Sequence, residues 1–126
     1  MASELRVTTI ANNAGSESVD TTYVVNGSAK AWFSLDGDAS TPVFFDSFNC
    51  ASITDTTGKP KIHFTNSMAN DDFAASGLSG ENTGAALSFG SDTPKTTSTV
   101  IFKCMDSAFS TGDTTNLDSI IVGDLA

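Results

Sequence analysis

Short runs in which apolar and polar residues alternate, separated by turn residues, constrain the fold of this chain more than any other feature. In the run SAKAWFSL (28–35), small and large apolar residues face one side of an extended strand, while Lys30, Trp32 and Ser34 face the other. In the run TTSTVIFKCMD (96–106), Val100, Phe102 and Cys104 share one side and Ile101 lies on the other. A period of two is typical of strands in a layered sheet protein.

The same alternation recurs along the chain at roughly 8–12-residue spacing, which is typical of an all-β sandwich. Asn26-Gly27, between two β-prone runs, predicts a tight hairpin turn. The run 43–53 and the run 61–66, joined by the turn-rich TDTTGKP, predict one long antiparallel hairpin. The predicted strands are 4–10, 22–25, 28–35, 43–53, 61–66, 72–77, 86–89, 96–106 and 117–125. We therefore expect an all-β fold, an antiparallel β-sandwich of jelly-roll-like form.

Composition excludes several classes of protein. The chain has 126 residues, including 17 Ser and 17 Thr, which suits a single domain with many turns and half-exposed strands. Its formal net charge of −9 repels nucleic acid phosphates, and we expect no nucleic acid partner. No apolar run reaches the roughly 20 residues that span a bilayer, and MASELRV lacks the pattern of a signal peptide. We expect no membrane insertion.

The two cysteines, Cys50 and Cys104, are too few for the framework of a disulfide-rich secreted domain. In a chain without a secretory signal, we expect both to be buried thiols. A disulfide between them is the alternative.

Candidates for chemistry are sparse. His63 is the only histidine, and no nucleophile motif accompanies it. The acidic loops 36–38, 70–72 and 112–118 do not match a calcium-loop pattern, and two Cys with one distant His do not match zinc spacing. The sequence therefore predicts no catalytic residue, no cofactor and no metal. Trp32, with Phe44, Phe45 and Phe48, suits either core and subunit packing or a sugar-binding platform.

Several motifs, taken as a set, resemble a domain of virion structural proteins from tailed bacteriophages, many of them marine, which are usually described as tail fibre proteins. The resemblance rests on the leader SELRVTTIANNAG, on NGSAKAWFSLDGD (26–38), on DSFNCASITDTTGKPKIHFTNSMANDDFAASG (46–77) and on the terminal VGDLA. It covers nearly the whole chain.

This resemblance implies a non-enzymatic virion protein, assembled in the host cytoplasm, that forms a short trimeric surface appendage. Residues 1–27 would be an extended virion attachment segment, and residues 28–126 would be a β-sandwich knob. The expected partners are further copies of the chain and other virion proteins, with a host-surface glycan or protein as a candidate receptor. The alternatives are a capsid decoration or cement protein and, far behind, a carbohydrate-active enzyme, which lacks a defensible carboxylate pair.

Interface residues are expected at two places. The strand 4–10 would dock on an exposed sheet edge of another virion protein. A small sandwich core cannot enclose all nine Phe together with Trp32, so some of these side chains are expected to meet another copy. The predicted interface residues are Leu5, Val7, Ile10, Trp32, Phe44, Phe45 and Ile101.

Overall fold

Eleven strands and one short helix make up the part of the chain that the structure describes. The computed structural model describes residues 6–38, 41–54, 56–80, 86–90, 93–106 and 108–126. In chain order the elements are β1 (Thr9–Ala11), β2 (Ser18–Asp20), α1 (Thr21–Gly27), β3 (Ala29–Asp36), β4 (Val43–Phe48), β5 (Cys50–Thr54), β6 (Lys61–Phe64), β7 (Ala74–Gly80), β8 (Ala86–Phe89), β9 (Lys95–Thr96), β10 (Thr99–Met105) and β11 (Asn116–Val122).

Two antiparallel sheets form the body of the protein. Sheet I has the strand order β4-β3-β11-β7, and sheet II has the order β5-β6-β10-β8 with the short β9 also paired to β10. The described pairings within both sheets are antiparallel. The predicted all-β, antiparallel sandwich is therefore confirmed, while a jelly-roll-like connectivity stays a prediction.

The inward side chains of both sheets form one apolar core. Phe33 of β3 and Phe102 of β10 meet edge to face with ring centroids 5.7 Å apart, which joins the two sheets at the centre. The predicted faces are confirmed for Ala31 to Leu35 of β3 and for Val100 to Cys104 of β10, where the inward residues are buried and the residues between them are not. Lys30 and Thr99, at the starts of these strands, are buried although they alternate with the inward residues. The buried core residues are Ala31, Phe33, Leu35, Ile62, Phe64, Met68, Phe73, Val100, Phe102, Cys104, Leu117 and Ile121.

The predicted single strand 43–53 is wrong, because Asn49 divides it. Asn49 has a positive φ of 57°, a conformation that asparagine tolerates better than most residues. The chain turns there, so β4 pairs with β3 in sheet I, and β5 pairs with β6 in sheet II. The hairpin with 61–64 therefore contains β5 alone, and the opening half of the run belongs to the other sheet.

The N-terminal region also differs from expectation. The predicted strand 4–10 is reduced to β1, which pairs with β2 in a separate hairpin; residues 1–5 lie outside the described residues. The predicted strand and hairpin turn around Asn26-Gly27 are wrong, because 21–27 is helical. The Asp20 carboxylate accepts a hydrogen bond from the Thr22 backbone N–H at 2.7 Å, and this N-cap outweighs the β preference of a few residues.

Candidate interaction surfaces

An apolar row crosses the outer face of sheet I. Trp32 of β3 lies between Phe48 of β4 and Ile120 of β11, each directly opposite it in the strand register. Trp32 is 37 % exposed, and Phe48 and Ile120 are each 51 % exposed. Directly opposed side chains on neighbouring strands are close enough to pack, so the three form one continuous apolar surface.

A polar row runs beside it. Ser34 of β3 lies between Asp46 of β4 and Asp118 of β11, and Asp118 in turn lies opposite Leu78 of β7. The parts of both rows that lie on β3, β11 and β7 border a shallow groove of about 480 Å³. It is lined by Trp32, Phe33, Ser34, Ser76, Gly77, Leu78, Asp118, Ser119 and Ile120. We call the two rows together the acidic face: it offers aromatic and aliphatic area beside two carboxylates.

The outer face of sheet II carries the opposite charge. Lys61 of β6 lies opposite Ile101 of β10. The Phe102 N–H donates to the Pro60 carbonyl, and the Cys104 N–H donates to the Gly58 carbonyl. Lys103 and Lys59, which lie between these bonded pairs, are therefore opposite each other. Residues that alternate along a strand share a face, so the three lysines lie together, and we call them the lysine cluster. All three are half-buried, and no described carboxylate forms an ion pair with them.

The region 6–28, which we call the N-terminal segment, has no buried residue. Val7 and Ile10, two of the predicted interface residues, are 45 % and 50 % exposed, and Leu5 lies outside the described residues. The other large apolar side chains exposed in this segment are Val19, Tyr23, Val24 and Val25. Exposed apolar area concentrated in one hairpin and helix is typical of interaction sites.

Lys30 joins the N-terminal segment to sheet I. Its residue is buried, and its Nζ donates to the Val25 carbonyl and, at 2.7 Å, to the Ser28 hydroxyl. These bonds satisfy the ammonium group at the end of α1, where a helix presents free carbonyls. A crevice at this junction, of about 490 Å³, is lined by Val25, Ser28, Ala29, Lys30, Phe48, Asp124 and Leu125.

The structure does not bring the other four predicted interface residues together. Trp32 lies on the acidic face, and Ile101 is half-buried on the opposite face of the sandwich. Phe45 is the extra residue of a bulge between the paired residues of β3 and β4, and it is 59 % exposed. Phe44 is half-buried and its ring lies 6.0 Å from that of Phe33, so it extends the core.

The sequence pattern grouped Phe48 with Trp32 but did not indicate that Ile120 and Leu78 belong to the exposed apolar surface. Leu78 is 77 % exposed, the largest exposed fraction among the exposed large apolar side chains of the described residues. The alternation in LDSIIV (117–122) could have indicated that Ile120 is exposed. Adjacent residues of a strand face opposite sides, and Ile121 is fully buried. Nothing local indicates that Phe48 and Ile120 flank Trp32, because that depends on the pairing of distant strands.

Among the described residues, the His63 ring has one hydrogen-bond partner, a hydroxyl group. Its Nε2 lies 2.8 Å from the Thr54 Oγ1 across the β5–β6 pair. Acidic residues of the predicted loops accept hydrogen bonds from the backbone. The Asp36 carboxylate accepts from the Asp38 N–H at 3.0 Å within one turn, and the Asp113 carboxylate accepts from the Gly58 N–H of a distant loop at 2.6 Å. Within the described residues, no group of three His, Cys, Asp or Glu side chains is placed to hold a metal ion.

Both cysteines are present as thiols. Cys104 is buried in the core, and Cys50 is half-buried at the start of β5. The Cys50 thiol donates toward the Phe48 and Trp32 carbonyls, with sulfur–oxygen distances of 3.4 and 3.6 Å. Burial raises the pKa of Cys50 to about 11, so its thiol is a poor nucleophile at neutral pH.

Comparisons with protein-family models, with curated proteins and with solved structures find no match to this chain. Among the described helical residues, no stretch has both the length and the apolar content to cross a bilayer. Three surface features of the described residues bear on function. They are the acidic face with its aromatic row, the lysine cluster on the opposite sheet, and the N-terminal segment, which buries none of its apolar residues.

Proposed function

We propose that this chain is a non-enzymatic structural protein of a bacteriophage virion, a short homotrimeric surface appendage of tail-fibre type. In this proposal, residues 1–27 attach the protein to the particle, and residues 28–126 form the knob that faces the medium. A host-surface glycan or protein is its candidate receptor. The motif set described above suggests the class of protein, and the exposed surfaces support a role in assembly.

One observation carries the proposal: the N-terminal segment has no buried residue although it bears six exposed large apolar side chains. A segment of this kind gains little from the sandwich, whose core is complete without it. It would gain more by packing on another protein, where its apolar area leaves water. Attachment to a second virion component is the role that uses this feature.

Deletion of residues 1–27 tests the attachment role. We expect the remaining chain, which begins just before β3, to be soluble and to melt cooperatively, because the buried core residues all lie in 31–121. When both forms are supplied to assembling particles, the full chain should be incorporated and the shortened chain should be left behind. Incorporation of the shortened chain at the level of the full chain would refute the assignment of 1–27.

Localisation of the chain in intact particles, by labelling and electron microscopy, tests the type of virion protein. A few copies at the tail agree with an appendage. Many copies spread over the head would refute the tail appendage and would support the alternative, a capsid decoration protein.

A further inference from the structure

Charge is distributed unevenly between the two outer faces of the sandwich. The chain carries six Lys and Arg against fifteen Asp and Glu, and yet three of the six, Lys59, Lys61 and Lys103, form the lysine cluster on sheet II. Like charges on neighbouring strands destabilise a sheet. On the acidic face of sheet I, Asp46 and Asp118 lie on either side of Ser34, which places two negative charges in one row.

Each face also has an apolar part in a matching position. On sheet II, Ile101 lies opposite Lys61, next to the lysine cluster. On sheet I, the row of Phe48, Trp32 and Ile120 lies two residues along the strands from the row of Asp46 and Asp118. That offset is roughly 7 Å, comparable with the separation between Ile101 and Lys103 on one strand. Sheet I therefore has an apolar row beside its carboxylates, and sheet II has a single half-buried apolar residue, Ile101, beside the row of Lys59 and Lys103.

We propose that the lysine cluster of one copy docks on the acidic face of a second copy of this chain. This inference rests on the self-association included in the proposed function, and it adds the two surfaces that meet. Ile101 would pack on the row of Trp32, Phe48 and Ile120. Lys59 and Lys103, which lie opposite each other two residues along the strands from Ile101, would then meet Asp46 and Asp118. Pairing unlike charges offsets part of the repulsion between copies that each carry a net charge of −9.

The charge pattern also selects the symmetry of the contact. Two acidic faces placed against each other would oppose carboxylates, and two lysine clusters would oppose ammonium groups. The favourable contact joins different faces, so it is head-to-tail, and repeated contacts of this type close into a ring when the rotation between copies permits. Three copies close into a ring only when the two contacting faces are inclined to each other, whereas faces on opposite sides of the sandwich stack copies into an open chain.

Paired charge reversals test the contact in the full chain. Variant A carries Asp46→Lys and Asp118→Lys, and variant B carries Lys59→Glu and Lys103→Glu. The control carries Asp71→Lys and Asp72→Lys, two exposed residues of the loop before β7, outside both faces. Each replacement changes the charge by two, so variant A and the control both carry −9 + 4 = −5, and variant B carries −9 − 4 = −13. Circular dichroism and thermal melting verify that all three are folded.

Sedimentation velocity at moderate salt measures the association. We expect a trimer for the unmodified chain and the control, and at least about a tenfold weaker association for A and for B. If overall repulsion alone decided the outcome, A would associate as tightly as the control. A fourth variant, verified as folded in the same way, carries all four replacements and a net charge of −9 + 4 − 4 = −9. It should restore association, because every contact then joins a reversed acidic face to a reversed lysine cluster.

The outcomes separate this inference from the proposed function. A trimer that persists in both A and B would overturn the docking of these two faces and would leave the appendage proposal intact. Failure of the variant with all four replacements to associate, when A and B have each lost their own association, would also overturn it. A monomeric unmodified chain would overturn both the contact and the trimer, whereas attachment through residues 1–27 is decided separately by the deletion.

Discussion

Asn49 is the residue at which the chain leaves sheet I and enters sheet II. Its side-chain amide donates to the Lys30 carbonyl at 3.0 Å and to the Asn66 carbonyl at 3.1 Å, and its Oδ1 accepts from the Asn66 N–H at 2.7 Å. Its φ of 57° lies in the left-handed region. One side chain thus fixes both the local turn and the contact between the two sheets.

Two substitutions separate these roles of Asn49. Asn49→Ala loses the side-chain hydrogen bonds and strains the backbone, and we expect it to lower the free energy of unfolding by about 3 kcal/mol. Asn49→Gly loses the same bonds without the strain, so it should be about 1 kcal/mol less destabilising than the alanine variant. Urea denaturation of both variants measures the difference. Equal decreases in the free energy of unfolding for the two variants would show that the positive φ of residue 49 causes no backbone strain in the alanine variant.

The Cys50 thiol makes stability depend on alkaline pH. Burial raises its pKa from 9.0 to about 11. Between these two values the unfolded chain releases a proton that the folded chain keeps, so the free energy of unfolding falls as the pH rises. The contribution of the Cys50 thiol to stability is complete below its pKa in the unfolded chain, 9.0, and is lost as the pH rises through its pKa in the folded chain, about 11.

Urea unfolding at a series of pH values between about 8 and 11, compared with Cys50→Ala, isolates this effect from the titration of Lys and Tyr. The unmodified chain should lose stability more steeply than the variant over this range. Parallel pH profiles for the two proteins would contradict the assignment.

Among the strands, β7 depends most on the absence of a side chain. It forms an edge of sheet I with the sequence AASGLSG, and Gly77 lies opposite Ser119 of β11. A Cβ added at Gly77 would lie 2.3 Å from the Asp118 carbonyl oxygen, a backbone atom that cannot rotate away. The close approach of β7 to β11 at this point therefore requires glycine.

Gly77→Ala should displace β7 from sheet I and lower the free energy of unfolding by about 2–3 kcal/mol. Gly112→Ala is the matched control, since nothing lies within 4 Å of a Cβ at that position. Amide hydrogen exchange locates the effect: protection should fall in β7 and in the facing half of β11 while it persists in β10. A uniform loss of protection across both sheets would argue against a local displacement of β7.

For the molecule as a whole, the aromatic residues divide into those that the sandwich encloses and those that stay exposed and can contact another copy. Phe33 and Phe102 join the sheets, and Phe44 packs on Phe33 from the edge of sheet I. Trp32 and Phe48 remain exposed on the outer face. A trimer carries a formal charge of 3 × −9 = −27, so its formation needs apolar contact of the kind that this outer face offers.

Trp32→Ser and Phe44→Ser should therefore have different effects. Trp32→Ser should dissociate the trimer and change the protomer's free energy of unfolding by only about 1 kcal/mol, because the side chain lies outside the core. Phe44→Ser should lower that free energy by about 2–4 kcal/mol, because it leaves a void beside Phe33. Sedimentation measures the first effect and urea denaturation the second. Loss of the fold in Trp32→Ser would assign this residue to the protomer's stability.

Sequence alone determined the fold class and the faces of the strongest strands. Alternation is a local property, and it placed Phe33, Val100 and Phe102 in the core and Trp32 outside it, because successive side chains of a strand point to opposite sides. The same reasoning indicated that His63 lies on the outer face of its strand and has no nucleophile motif beside it.

Only the tertiary structure decided which strands pair, and hence which surfaces exist. Asn49 sends two halves of one apolar run into different sheets, and the cap at Asp20 makes a β-prone segment helical. The separation of the lysine cluster from Asp46 and Asp118 onto opposite faces follows from the pairing of residues far apart in the chain. The alternation of side chains along a strand is set by the strand's own backbone. Which strands become neighbours depends on the free energy of packing the whole core, and that free energy cannot be read from any single run of residues.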